Sequence, residues 1–162
     1  MMDQQMEKAL NDQINAEMAS AYLYLGMSAY FMDRHLKGFA HWMRVQAKEE
    51  MGHAMKIYDF VQERLSSVSL AAIAAPKGKW TSPLGVFEAT LAHEKKVTGL
   101  IHALVATAKA RKDYATEVFL QWFVKEQVEE EAHADEIDQQ LKMIADQPGP
   151  LFVLDSVLGK RE

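Results

Sequence analysis

Glutamate and histidine residues interrupt helical stripes that are otherwise apolar. In the segment KEEMGHAMK at residues 48–56, Glu50 and His53 lie one helical turn apart, on the face that their apolar neighbours would bury. Other stripes are interrupted in the same way, by Glu17, Glu94 and Glu130. Burying a carboxylate without a partner is costly, and several carboxylates together repel each other. The pattern therefore predicts cations inside the fold.

The available ligand types limit which kinds of metal site the chain can form. The chain has no cysteine, which excludes disulfides, thiolate metal sites and Fe–S clusters. Carboxylates with an imidazole suit iron, manganese or zinc, and several glutamates can neutralise two divalent ions. The alternatives are a core of salt bridges, or stripes whose glutamates face water.

The interruptions recur at a constant offset of 77 residues. The related pairs are Glu17 with Glu94, Glu50 with Gln127, and His53 with Glu130. Four of these residues lie 17 to 19 positions from the middle of their hairpin turns, and with a rise of 1.5 Å per residue they reach nearly the same height: Glu17, His53, Glu94 and Glu130. We infer a repeated helical hairpin whose two copies bring their polar residues together.

Long segments without internal breakers position these residues. They predict helices at about 4–34, 38–65, 84–111 and 114–145, and a short apolar helix at 151–158. The seam of the third helix, for example, is predicted as Phe87, Leu91, Glu94, Thr98, Ile101, Val105 and Ala108. A long crossover at 66–82 joins the two hairpins. This order predicts an all-α, ferritin-like four-helix bundle with a short fifth helix, forming a single domain over 1–162.

The composition fits a helical protein and limits its partners. The chain has 162 residues, a net charge of −5 and 18 scattered Lys and Arg residues, a distribution that predicts no nucleic-acid partner. The polar N-terminal segment and the lack of a long uncharged stretch predict no membrane partner and a cytoplasmic location.

The motifs resemble those of the prokaryotic non-haem ferritins over essentially the whole chain. They comprise Glu17, Glu50-Met-Gly-His53, Glu94 and the segment FLQWFVKEQVEEE at 119–131. The resemblance implies a first iron held by Glu17, Glu50 and His53. It implies a second iron held by Glu94 and Glu130, with Glu50 bridging the pair and Gln127 beside the second ion.

Further residues take roles by the same resemblance. Tyr24 matches the family's tyrosine beside the di-iron site, although a core tyrosine with a satisfied hydroxyl is the alternative. A third iron site would be formed by Glu49, Glu126 and Glu129. These residues lie off the seam, where a solvated acidic face is the alternative.

The activity implied by the resemblance is oxidation of Fe(II) by O₂, followed by storage of an Fe(III) mineral in a cage. The homo-oligomer would have 24 subunits, with the short tail helix at its fourfold axes. The alternatives are a haem-containing bacterioferritin-like protein and a non-catalytic metal-binding bundle.

Two residues resemble ligands and are assigned other roles. Met51 follows Glu50 as the haem-binding methionine does in bacterioferritins, but the fourth helix has Gln127 and Glu130 where those proteins have Glu-x-x-His, so no haem is expected. His133 forms Glu-x-x-His with Glu130, but it lies off the seam and breaks the repeat. We predict a flanking position for His133, and solvated or capping positions for His35, His41, His93 and His102.

Overall fold

The computed structural model describes residues 2–76 and 78–162. Within these ranges it contains five α-helices: α1 (Gln4–Asp33), α2 (Lys37–Glu63), α3 (Pro83–Ala110), α4 (Tyr114–Ile144) and α5 (Pro148–Leu158). Two antiparallel hairpins, a long crossover and a short last helix confirm the predicted all-α four-helix bundle with a short fifth helix. Met1 and Lys77, which fall in the predicted domain and crossover, lie outside the described residues. No helix of the described ranges is long and apolar enough to cross a bilayer.

Local sequence signals account for the helix boundaries. The side chains of Asp3, Ser82 and Asp113 accept hydrogen bonds from backbone N–H groups at the starts of α1, α3 and α4. Residues with positive φ follow the C-terminal ends of the four long helices: His35, Leu65, Lys112 and Ala145. The last helix begins at Pro148, three residues earlier than predicted, because proline fits the first turn of a helix, where its missing N–H has no partner to lose.

The crossover runs along α1. At its start, Asn11 accepts a hydrogen bond from the Ser69 backbone N–H (2.7 Å) and donates one to the Ser67 carbonyl (2.9 Å). Near its end, the Trp80 ring lies 5.9 Å from the Tyr30 ring. The segment therefore returns the chain along the bundle so that the second hairpin can pack beside the first.

The seam of α3 differs from the prediction. Its buried row includes Thr90, Val97 and Leu104, whereas the predicted Leu91, Thr98 and Val105 are only partly buried. Both rows flank the same central residues at spacings of three or four, so periodicity alone does not choose between them. The positions of the neighbouring helices determine which of the two rows is buried.

The core has two apolar clusters. One surrounds Phe31, Phe39 and Phe87 near the first hairpin turn. The other surrounds Leu10, Ile57 and Leu120 towards the opposite end. The buried polar residues of the seams lie between these clusters, so apolar packing at both ends positions a polar layer in the middle.

The last helix packs across the start of α2. Leu154 and Leu158 are buried in the first apolar cluster. Asp155 Oδ1 accepts a hydrogen bond from the Phe39 backbone N–H (2.9 Å). A β-carbon at Gly38 would lie 1.6 Å from the Asp155 carbonyl oxygen, so glycine is required for this close approach.

Candidate metal centre

Each long helix contributes one buried carboxylate to the polar layer. Glu17, Glu50, Glu94 and Glu130 come from α1, α2, α3 and α4, and none is more than 5% exposed. His53, one turn after Glu50, is 6% exposed. These five side chains interrupt the predicted stripes, and the structure turns all of them inward.

Their ligand atoms form overlapping groups. Within 4.8 Å of one another lie atoms of Glu17, Glu50 and His53, and separately atoms of Glu50, Glu94 and Glu130. Glu50 belongs to both groups. The arrangement can hold two neighbouring cations with the Glu50 carboxylate between them.

Two glutamine side chains position three of these carboxylates in ways that the sequence reasoning missed. Gln13 Nε2 donates to Glu17 Oε1 at 2.8 Å. Gln46 Nε2 donates to Glu50 Oε1 at 2.9 Å and to Glu130 Oε2 at 2.7 Å, linking α2 to α4. A glutamine four residues before each glutamate lies on the same helical face, and that spacing was the available signal.

Glu94 is held by two of the predicted site residues. The buried Tyr24 hydroxyl donates to Glu94 Oε1. Gln127 Nε2 lies 3.2 Å from Glu94 Oε2 and 3.2 Å from its backbone carbonyl oxygen. Both side chains are therefore placed beside the second group of ligands, where they orient its α3 carboxylate.

His93 lies closer to the centre than predicted. Its ring is mostly buried and lies edge-on to Tyr24, with 5.8 Å between the centroids, and its Nε2 is 2.7 Å from Ser20 Oγ. Burial and the charge of Lys96 lower the pKa of His93 to about 4, so its ring is neutral at pH 7. A neutral ring packs against the tyrosine without adding charge to the site.

The three residues predicted for an outer iron site are placed differently from one another. Glu126 Oε1 lies 3.7 Å from His53 Nε2, and with Glu130 these residues form a third group of ligand atoms within 4.8 Å. Glu49 is partly exposed and forms an ion pair with Arg161. Glu129 is exposed. The structure thus brings Glu126 to the centre and leaves Glu49 and Glu129 outside these groups.

The two residues that were assigned other roles also lie outside these groups. His133 is exposed and lines a surface cavity with Trp42 and Arg161. Met51 is exposed on the outer face of α2. Neither side chain contributes to the groups of potential ligand atoms found among the described residues.

Burial and mutual repulsion oppose ionisation of the carboxylates. Desolvation, followed by the charge of Glu50, raises the pKa of Glu17 to about 8. Desolvation and the charge of Glu94 raise the pKa of Glu130 to about 7, and burial also raises the pKa of Glu50 and of Glu94. A cation that binds here would displace protons and supply the missing positive charge.

Two buried oxygen atoms without hydrogen-bond partners are consistent with a cation site. Glu17 Oε2 and Gln46 Oε1 are buried oxygens without a hydrogen-bond donor. Buried acceptors are normally paired. Both oxygens belong to side chains of the polar layer, and a divalent ion among the glutamates would provide the partner that Glu17 lacks.

Metal-free protein is expected to become less stable as the pH rises from about 5 to about 8. The pKa is about 8 for Glu17 and about 7 for Glu130 in the folded chain, against an ordinary value of 4.5. The folded state therefore binds more protons than the unfolded state across this range, and raising the pH removes that advantage. Calorimetry in chelator should show the thermal midpoint falling by at least about 5 °C. Glu17→Gln should flatten the profile, whereas a midpoint that rises with pH would contradict the explanation.

Comparisons with known proteins agree on one class. The ferritin-like domain family matches residues 7–144. The fold is also that of a solved open-pore ferritin from the archaeon Archaeoglobus fulgidus, with a TM-score of 0.99, 51% identity and full coverage of both chains. The bundle and its buried glutamates therefore define a ferritin-like protein.

Curated relatives define the family more closely. A bacterial non-heme ferritin of Bacteroides fragilis is 45% identical over 161 residues, covering 99% of this chain and 100% of that protein. One from Staphylococcus saprophyticus is 40% identical and covers 99% of this chain and 96% of its own. The chain belongs to the ferritin family, which makes it an iron-storage protein.

Proposed function

We propose that this ferritin is a ferroxidase, which oxidises Fe(II) with O₂ at a di-iron centre inside each subunit. The observation that carries the proposal is the position of Glu50, whose carboxylate belongs to both groups of buried ligand atoms. Glu17 and His53 complete the first site, and Glu94 and Glu130 complete the second. Iron is the substrate here, and two Fe(II) ions bind per subunit.

The protein holds the two iron ions close together and supplies the negative charge of its glutamates. Two Fe(II) ions held close together supply one electron each, so that O₂ and two protons give hydrogen peroxide and two Fe(III) ions. The glutamates favour the more highly charged product, and the raised pKa values of Glu17 and Glu130 mean that protons leave when iron enters. Tyr24 and Gln127 orient Glu94 throughout.

The two iron sites should be unequal. The first has the His53 imidazole and Gln13 holding Glu17. In the second, Glu130 takes the place of His53 in the repeat, and Gln127 takes that of Glu50. We expect weaker and more transient binding at the second site, and we assign Glu49, Glu126 and Glu129 to a third iron site beside the pair.

Storage of the product requires an assembly. The outer face of α5 exposes Phe152, Val153 and Val157, each more than half accessible, and the two valines line a surface groove with the exposed Met143 of α4. An apolar surface of this kind favours a protein partner. We propose a homo-oligomeric cage of 24 cytoplasmic subunits, without haem, that encloses the Fe(III) mineral.

A titration with Fe(II) tests this function. Metal-free protein should bind two Fe(II) tightly per chain without O₂, and then consume O₂ as the iron is oxidised. Continued additions should load many more iron atoms per particle than the di-iron centres alone could hold. Tight binding without O₂ consumption would instead support the non-catalytic metal-binding bundle, and one ion per chain would contradict the di-iron centre.

A further inference from the structure

The residues after α5 fold back onto α2 beside the candidate iron centre. Arg161 Nη2 donates to Glu49 Oε2 at 2.5 Å, and its guanidinium carbon lies 4.2 Å from the centroid of the Trp42 ring. The Arg161 carbonyl oxygen is 2.7 Å from His41 Nε2. Backbone and side chain of Arg161 are thus both held against α2, and the side chain is only 17% exposed.

The last helix determines where this arginine lies. Leu154 and Leu158 anchor α5 in the apolar core, and Asp155 is bonded to the start of α2. Gly159 packs against Gly38, whose Cα would lie 3.3 Å from a β-carbon at Gly159. Because the helix is fixed at these points, Arg161 reaches Glu49 without a long mobile connection.

Glu49 is close enough to the centre to affect its charge. It directly precedes Glu50, and its negative charge contributes to raising the pKa of Glu130. Within residues 2–76 and 78–162, Arg161 is the only Lys or Arg that forms an ion pair with one of the predicted iron ligands. While this ion pair is intact, Glu49 Oε2 is bonded to the guanidinium and is not free to bind a cation.

We propose that Arg161 is a positioning residue that controls loading of the third iron site by competing with the cation for the Glu49 carboxylate. The inference rests on the proposed function, specifically on its third site. When Glu49 binds Arg161, the site lacks one of its ligands. When Glu49 binds a cation, the guanidinium leaves Glu49 and its position on Trp42.

The competition is weak enough to be reversible. An ion pair with a partly exposed carboxylate such as Glu49 is worth little, so the arginine lowers the affinity of the third site without closing it. Iron that is held loosely outside the di-iron pair can move on. By weakening the third site, the residues after α5 would favour transfer of iron from that site over its retention there.

Zinc titrations of the assembled, metal-free protein test the inference, since Zn(II) is not oxidised. Calorimetry should resolve two tightly bound ions and a weaker one that is lost in Glu49→Gln. In Arg161→Gln the weaker ion should bind about two- to fivefold more tightly, with the inner two unchanged. Filling the weaker site in the wild type should also change Trp42 fluorescence, because the guanidinium leaves the ring.

Matched variants distinguish competition for Glu49 from a general change in charge or folding. Lys160→Gln removes the same charge one residue away, on an exposed side chain, and should leave all affinities unchanged. Arg161→Lys should restore most of the competition. In Glu49→Gln combined with Arg161→Gln, the gain in affinity should disappear. Circular dichroism and size-exclusion chromatography should show that each variant folds and assembles.

Some outcomes would overturn the role of Arg161 without contradicting the proposed ferroxidase function. An unchanged third site in Arg161→Gln would show that the arginine does not compete, and a weaker one would show that it prepares Glu49 for the metal. If wild type and variant both bind only the two inner ions, the third site does not exist, while the di-iron centre stands. A wild type that binds no ions would contradict the proposed function.

Discussion

Replacing Glu50 with alanine is expected to lower the initial rate of Fe(II) oxidation by at least about 100-fold, since even outer partners of metal ligands are worth 10- to 100-fold. Glu50 is the one carboxylate shared by the two groups that we propose hold the iron pair, so its loss should weaken both sites. Stopped-flow absorbance after rapid mixing with aerobic Fe(II) measures the rate, and anaerobic titration measures how many ions remain bound.

Two further variants make this result interpretable. Glu50→Gln keeps the side-chain volume and should lose the rate as well. Burial raises the pKa of Glu50, so removal of its charge should leave the metal-free fold at least as stable as the wild type. His133→Ala should change the rate by less than about twofold, because His133 lies outside the groups of ligand atoms. A Glu50→Ala rate within tenfold of the wild type, or a large His133 effect, would contradict the assignment, where tenfold is about 1.4 kcal/mol.

Replacing Gly38 with alanine should destabilise the subunit by about 2–4 kcal/mol and release α5. The new β-carbon would lie 1.6 Å from the Asp155 carbonyl oxygen and 2.5 Å from its carbonyl carbon, and backbone atoms have little freedom to move away. The bond from Phe39 N–H to Asp155 would be lost, and Leu154 and Leu158 would leave the core. Chemical unfolding gives the free energy, and hydrogen exchange at 148–158 reports the release.

Gly99 provides the matched control. It also lies within a helix, but a β-carbon there would meet no atom of the described residues within 4 Å beyond its chain neighbours and the backbone of its own helix. Gly99→Ala should therefore stabilise the subunit by about 0.5–1 kcal/mol through helix propensity alone. If Gly38→Ala behaved like Gly99→Ala and kept α5 protected from exchange, the close approach would be unimportant for stability.

The fold was predictable from the sequence because its signals are local. Spacings of three and four residues identify the buried face of a helix, and the 77-residue offset relates the hairpins. The inward positions of Glu17, Glu50 and Glu94 follow from these regularities. The roles of these residues as iron ligands stay predictions that the titrations and variants will test.

Contacts between helices were less predictable. Gln46 reaches Glu130 across the bundle, and His93 packs against Tyr24, only because of how neighbouring helices are rotated. The same rotation selects Thr90 over Leu91 on α3. Helix geometry determines which residues share a face, but it does not determine which residue of another helix lies opposite. The pair of Arg161 with Glu49 was missed because Arg161 lies in the irregular segment after α5, where no periodicity predicts its neighbours.

The repeated hairpin also has a consequence for symmetry. Two identical hairpins would be related by a twofold axis through the centre, and its two ends would be equivalent. In this chain Gln13, Tyr24 and Gln46 donate to the buried glutamates. The related positions of the other hairpin are Thr90, which donates to the Val86 carbonyl, and the apolar Ile101 and Phe123. The departures from symmetry therefore make the two halves of the centre chemically different, so that exchanging the hairpins would not leave the site unchanged.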